Sequence, residues 1–288
     1  MYNFGGNYLP ICCSHKAFSS LYKQASAIQS PDALLRGVIA ISAHWIPNVD
    51  TEAVDQELQR YVNTIRARVK SRSSQALMAH MHEFLFDEMG FAGNMLDYYN
   101  PSNSQLPIVL EKKLGNPVLL ALIYKIVAER LGFQAWGIGL PGHFLVGIKC
   151  DQDQAMVDAF DRGRLISSEE AHARMKEIFS SEVEWSEKFL RPASNQHWLT
   201  RIIQNLINTF GTARQYQNVA ALLEMEIALW PNMPTLWRDL GLVLASIGMS
   251  KQAARWLSTY IQNAPNDPQI ENIQQMLDVL SDGNNKAR

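Results

Sequence analysis

Cysteine is scarce in this 288-residue chain: there are 3, with Cys12 and Cys13 adjacent and Cys150 alone. That pattern makes no disulfide framework, and a reducing, cytoplasmic setting is the simplest account of it. An excess of charge of one sign is missing too. The 26 Lys and Arg stand against 28 Asp and Glu, a net of −2, which supplies no pull toward nucleic acid or an anionic membrane. No apolar run approaches the roughly 18 residues a bilayer span requires; the best, from Val118 to Ile123, is broken by Tyr124 and Lys125. The start, MYNFGGNYLPICCSHK, has no basic cluster ahead of an apolar stretch, so no signal peptide is expected, and LPICC lacks the apolar segment a lipoprotein cleavage site needs. Metal-ligand spacing is absent as well. His80 and His82 are two apart, hence on opposite faces of a helix, and His15, His44, His172 and His197 stand alone. Neither a metal nor any other cofactor is expected.

What is present is apolar residue, 47% of the chain, enough for one large core or two modest ones. The first 30 residues are weakly patterned and read as a loosely attached extension. From Pro31 the pattern turns helical. In DTEAVDQELQRYVNTIRARVK, Val54, Leu58, Tyr61, Ile65 and Val69 form one stripe, with Asp50 placed as N-cap. SSQALMAHMHEFLFDEMG is a further helix stopped at Gly90, the turn-rich GNMLDYYNPSNSQ follows, and LPIVLEKK is a short helix whose Pro107 fits only a first turn. GNPVLLALIYKIVAERLG is the clearest local signal: Asn116 as N-cap, Pro117 at the first helical position and Gly132 as the left-handed stop. Its first half is apolar on nearly every side, which predicts burial at the centre of a domain.

Beyond it the period shortens to two. QAWGIGL, HFLVGIK and AMVDAF read as strands, the last two as an antiparallel hairpin, and SSEEAHARMKEIF as a helix with Ser167 and Glu170 spaced for a capping box. The last third repeats. Pro231-Asn232 recurs as Pro265-Asn266 and Pro234 as Pro268, in each case 34 residues on, the tetratricopeptide period. Trp237, Leu240, Gly241, Leu244, Gly248, Ala253, Leu257 and Pro265 match that repeat's consensus, so Trp237 and Trp256 read as packing residues. Two units are too few to stand alone, and the first is expected to dock on the preceding domain. The expected division is an extension over 1–30, an α+β domain with a small antiparallel sheet over 31–194, and two repeats with a closing helix over 195–288.

A buried helix whose N-terminus precedes strands bearing a histidine and an aspartate is the arrangement papain-like enzymes use, with a thiolate at the helix start, the histidine as acid–base and the aspartate orienting its ring. His143 and Asp158 are such a pair, expected on neighbouring strands facing the helix that begins at Pro117. The stretches FLFDEMGFAGNMLDYYNPSNSQLPIVLEKKLGNPVLLALIYKIVAERLG and GLPGHFLVGI…VDAFDRGRLIS resemble the bacterial transglutaminase-like core 2 proteins of the SirB type, which carry C-terminal tetratricopeptide repeats. The resemblance implies a helix-rich papain/transglutaminase-like core, with His143 and Asp158 in the catalytic histidine and acid positions. It puts the nucleophile at or beside Pro117, and proline offers no thiol, hydroxyl or N–H. Cys150 does not substitute: seven residues from His143, it faces the other side of a regular strand, roughly 23 Å away at about 3.3 Å per residue.

The pair therefore admits three readings: a structural hydrogen bond, the polar centre of a ligand groove, or a working site. Asn116, Pro117, Tyr98 and Asn103 are the candidates for lining such a groove. The leading functional reading is a non-catalytic interaction or regulatory module that binds a protein or peptide partner; the alternative is a hydrolase or acyl-transfer enzyme that uses His143 and Asp158 with an unidentified nucleophile.

Overall fold

The computed structural model describes residues 9–30, 32–70, 73–179 and 184–286. In chain order it contains α1 (His15–Ser26), α2 (Ala33–Ser42), α3 (Thr51–Arg68), α4 (Ser74–His82), β1 (Ala92–Gly93), α5 (Leu106–Lys112), β2 (Leu114–Gly115) and α6 (Pro117–Leu131). Strands β3 (Gln134–Ile138), β4 (Leu145–Cys150), β5 (Asp153–Asp158) and β6 (Arg164–Ile166) precede α7 (Ser168–Phe179). Helices α8 (Asn195–Thr212), α9 (Tyr216–Leu229), α10 (Pro234–Ser246), α11 (Ser250–Asn263) and α12 (Ile270–Lys286) complete it. The fold is α+β with a helical repeat segment, as the sequence predicts.

At α6 the cap residues act as their chemistry requires. The Asn116 carboxamide oxygen accepts from the Leu119 amide at 3.0 Å, and Gly132 takes a φ of 104°, a left-handed stop open to glycine. Between these ends the helix is buried almost throughout and packs against α3, β3 and β4. The antiparallel sheet runs β3-β4-β5-β6 in simple meander order. Alternation divides its faces. Val146, Ile148 and Val157 join the main core with α6, whereas Ile138, Leu145 and Ile166 form a smaller cluster with Ala171 of α7. The capping box at α7 forms in both directions, Ser167 N–H to the Glu170 carboxylate at 2.8 Å and Glu170 N–H to the Ser167 hydroxyl at 3.2 Å.

Three local expectations need correction. The helix read through to Gly90 widens after His82 into a π-helical segment, Glu83–Glu88, in which the Arg162 guanidinium takes the Phe86 carbonyl at 2.8 Å. Where three strands are expected, the main sheet has a fourth, β6, and β1 and β2 pair apart from it: two or three residues are too few to show an alternation. The extension over 1–30 is not loosely attached where it is described, and residues 1–8 lie outside the described residues. α1 buries Ala17, Phe18 and Leu21 against α2 and α9. Just before it, the Glu224 carboxylate of α9 accepts from the amides of Ile11, Cys12 and Cys13 at 2.6, 3.0 and 2.7 Å. A carboxylate can be buried at this depth when backbone donors satisfy its oxygens.

The repeat helices form two consecutive antiparallel pairs, α8 with α9 and α10 with α11, and each pair ends before its proline. Gly241 lets the second pair close, since a Cβ there would stand 2.7 Å from Leu257 Cδ2. The first pair docks on the preceding residues as expected. α9 is buried continuously from Val219 to Leu229, and α8 packs against α2 and α6. The fully buried Trp198 of α8 donates its indole N–H to the Val118 carbonyl at 3.3 Å.

Candidate functional site

LPGH, residues 140–143, sets the histidine. Pro141 has the fixed φ suited to the second position of a tight turn, Gly142 takes a φ of 70° at the third, and the His143 amide closes the turn on the Leu140 carbonyl at 3.2 Å. His143 thus sits in the turn leading into β4 rather than on a strand, a correction to the expected placement. Asp158, at the end of β5, is expected opposite it and is found there: His143 Nε2 lies 2.9 Å from Asp158 Oδ2, with the histidine 6% exposed and the aspartate 0%.

Asp158 has further partners. Arg174, reaching over from α7, pairs with the same oxygen, while Oδ1 accepts from the amides of Phe160 and Asp161 at 3.0 and 3.1 Å. Burial alone would raise this carboxyl; the His143 hydrogen bond and charge, then Arg174 and the Asp161 amide, outweigh it and hold the group below the usual carboxylate range. With Nε2 spent on Asp158, His143 keeps Nδ1. That nitrogen has no hydrogen-bond partner among the described residues and is not sealed from solvent.

It meets a cleft. One cavity of about 480 Å³ is lined by His143, Arg174, Tyr98, Asn103, Ser104 and Asn116 on one side and by Asn205, Asn208 and Thr209 of α8 on the other. A second, of about 240 Å³, adds Pro117, Val118, Arg201 and Gln204 and shares Tyr98, Gly142, His143, Asn205 and Asn208 with the first. The loop bearing Tyr98 and Asn103 is held over the start of α6 by the parallel pairing of β1 with β2 and by the Asn116 amide, which donates to the Asn103 carbonyl at 3.1 Å. Gly93 permits this approach, because a Cβ there would fall 2.4 Å from the Phe160 ring.

All six sequence-chosen residues, His143, Asp158, Asn116, Pro117, Tyr98 and Asn103, thus gather at one place, Asp158 beneath the cleft and the others in its lining. Two of them have little left to offer a ligand. Asn103 donates to the Asp97 and Tyr98 carbonyls and accepts from Asn94, and Asn116 donates to the Ser104 hydroxyl at 2.6 Å while capping α6. Sequence reading missed Arg174, Arg201 and the whole α8 wall. Arg174 gave no signal, since a helical arginine sixteen residues beyond its partner looks like any solvated charge, and the α8 amides lie on a helix read only as a repeat.

No hydroxyl or thiol among the described residues hydrogen-bonds to His143. Ser104 is held by Asn116, and Thr209 donates to its own helix at Asn205. Burial first, and Glu224 next, push the Cys12 thiol up to about 11 and raise that of Cys13, while burial with Asp151 and Asp153 raises Cys150. Thiols raised in this way offer little thiolate at neutral pH. Among the described residues no cluster of three metal-ligating side chains forms, and no helix is long and apolar enough to cross a membrane.

A buried helix whose N-terminus underlies a histidine in the turn before one strand and an aspartate at the end of the next defines the papain/transglutaminase-like class. The chain belongs to the transglutaminase-like superfamily, whose family model matches residues 52–204, and a tetratricopeptide-repeat model matches residues 208–278. It is 32% identical over 252 residues to a UPF0162 protein of Xylella fastidiosa, covering 86% of this chain and 90% of that one. It is 22% identical over 250 residues to protein SirB1 of Salmonella typhimurium, covering 86% and 93%. Human F-box only protein 21 is 27% identical over 174 residues, 57% of this chain and 27% of that protein. No solved structure matches the chain.

Proposed function

We propose that this transglutaminase-like repeat protein is a non-catalytic interaction module that holds an extended segment of a protein partner in the cleft between residues 31–194 and the first repeat helix of 195–288. The observation that carries this reading is the His143 ring. It is fixed by Asp158, its Nδ1 is left to the cleft, and among the described residues no hydroxyl or thiol hydrogen-bonds to it. Pro117 lines the cavity at the head of α6, where a papain-like enzyme needs its nucleophile, and fills that place with three methylenes. The α8 amides on the opposite wall offer the donors and acceptors that an extended backbone uses. The tetratricopeptide-repeat match begins at residue 208, on the helix that walls the cleft, which agrees with a role in protein interaction.

The test uses the full chain with a photoreactive residue at Asn208, in the cleft, or at Val279, exposed on α12. A partner crosslinked from 208, absent from 279 and lost when Asn205→Trp obstructs the place where the two cavities meet, is the expected result. Labelling by a fluorophosphonate or an epoxide that disappears in His143→Ala would overturn the reading in favour of the hydrolase or acyl-transfer alternative.

A further inference from the structure

We infer that the cleft selects a peptide bearing a carboxylate, and that the Arg201 guanidinium is its anchor. This rests on the cleft being a peptide site and says which peptide it takes. Both linings contain His143, amides and hydroxyls, the larger adds Arg174 and the smaller Arg201, and neither contains an aspartate or a glutamate. In a chain whose net charge is −2, that asymmetry is local to this cleft.

The two arginines are in different states. Arg174 already has Asp158. Arg201 has no carboxylate partner among the described residues: Nη2 donates to the carbonyls of Leu140 and His143, the latter at 3.1 Å, and Nε and Nη1 are unbonded. Burial disfavours its charge, with only the Tyr98 hydroxyl offsetting. A guanidinium does not give up its proton in a protein, so a half-buried one lacking a counter-ion attracts an anion from outside. The acids behind the lining do not satisfy it. Asp158 is consumed by four donors, and Glu226 is engaged by Gln204 at 3.0 Å.

The geometry favours a carboxylate over a phosphate. With Nη2 spent on the two carbonyls, the free Nε–H and Nη1–H lie on different edges and each meets an anion oxygen singly. Asn116 already occupies the Leu119 amide at the α6 N-terminus, where a phosphate would seek its further donors. A peptide rather than a free acid is indicated by the rim. Met95 and Tyr99 line the larger cavity while 74% and 70% exposed, and Leu96 beside them is fully exposed, an apolar shelf for residues flanking the carboxylate.

The experiment follows the arginine side-chain N–H signals of the full chain by NMR, with glutarate, its neutral diamide and inorganic phosphate as probes, beside selection from a random peptide library. Saturable movement of the Arg201 signal with glutarate but not with the diamide is expected, together with enrichment of Asp or Glu in the selected peptides. Arg201→Gln should weaken glutarate binding about tenfold or more. Asn208→Asp, on the exposed side of α8, should weaken it while leaving the Arg201 carbonyl bonds intact. Equal response to glutarate and the diamide, or binding of phosphate alone, overturns the inference. Selection of peptides without acidic residues overturns it but leaves the peptide site standing. Glutarate binding with no peptide selected defeats the peptide reading and leaves only a small-anion site.

Discussion

Pro117→Cys asks whether the surroundings of Pro117 can activate a thiol placed at the head of α6. A cysteine at the first helical position costs little in folding, because the N–H it adds is one of the helix-start donors that have no intrahelical partner, and the lost preorganisation of φ is worth about 1 kcal/mol or less. Its thiol would line the same cavity as His143, at the N-terminus of a 15-residue helix. Helix dipole and imidazolium together lower such thiols to between about 3.5 and 7.5. For a value near 6.5, the thiolate fraction at pH 7 rises from about 3% to about 76%, roughly 25-fold. Lower basicity takes back about eightfold in intrinsic reactivity at a Brønsted slope of about 0.45. Alkylation by iodoacetamide should therefore be only about threefold faster than for a surface cysteine. The decisive readout is the pH midpoint, taken from ultraviolet thiolate absorbance and from the alkylation profile. The background is quiet, since Cys12 titrates at about 11 and Cys13 and Cys150 are also raised. His143→Ala in the same chain should return part of the shift and leave the part due to the helix. A midpoint at or above about 8.5 in a protein with native circular dichroism would refute the reasoning, and His143–Asp158 would then be a structural bond alone.

Asp158→Asn keeps an oxygen for the Phe160 and Asp161 amides but loses the charge facing His143 and the partly exposed Arg174, and should cost about 1–3 kcal/mol at pH 7 in urea unfolding. Because the folded carboxyl lies below its ordinary value, the stability it gives is present above that value and fades as pH falls, so wild type and variant should converge in acid below an ordinary aspartate's 3.8. Glu226 works in the opposite sense: burial raises it to about 7 from 4.5, so stability falls as pH rises between those values. Glu226→Gln should flatten that slope and add about 2–3 kcal/mol at pH 8; an unchanged slope would contradict the assignment. Gly137→Ala would place a Cβ 2.3 Å from Trp198 Cζ3 and 2.7 Å from Phe144, and should destabilise by about 1–3 kcal/mol, read as a lower thermal midpoint.

Much of this was legible because it is local. Asn116, Pro117 and Gly132 write the start and stop of α6 within 17 residues, LPGH writes a turn, Ser167 and Glu170 write a capping box, and the 34-residue recurrence writes the repeat. The histidine–aspartate bond was legible because a tight turn at Asp151, with its φ of 55°, fixes the hairpin register Cys150↔Asp153 and so brings 143 near 158. What was hidden depends on distance. Arg174 finds Asp158 only after α7 folds over the sheet, and the α8 wall exists only once the repeat has docked. α1 looked patternless because only Ala17, Phe18 and Leu21 of its 12 residues are fully buried, and the group that anchors the segment before it, Glu224, lies more than two hundred residues away.

That anchor bears on how the protein is made. Translation adds about 5–20 residues per second, with N-terminal parts ordinarily folding first. Here the amides of Ile11, Cys12 and Cys13 wait for a carboxylate 211 to 213 residues downstream. Until α9 leaves the ribosome, the apolar face of α1 has α2 but not α9 to cover it, so a segment synthesised more than two hundred residues ahead of its anchor reaches its native place late. A nascent chain stalled before residue 224 should therefore present this segment to chaperones and proteases, and a ribosome that completes α9 withdraws it.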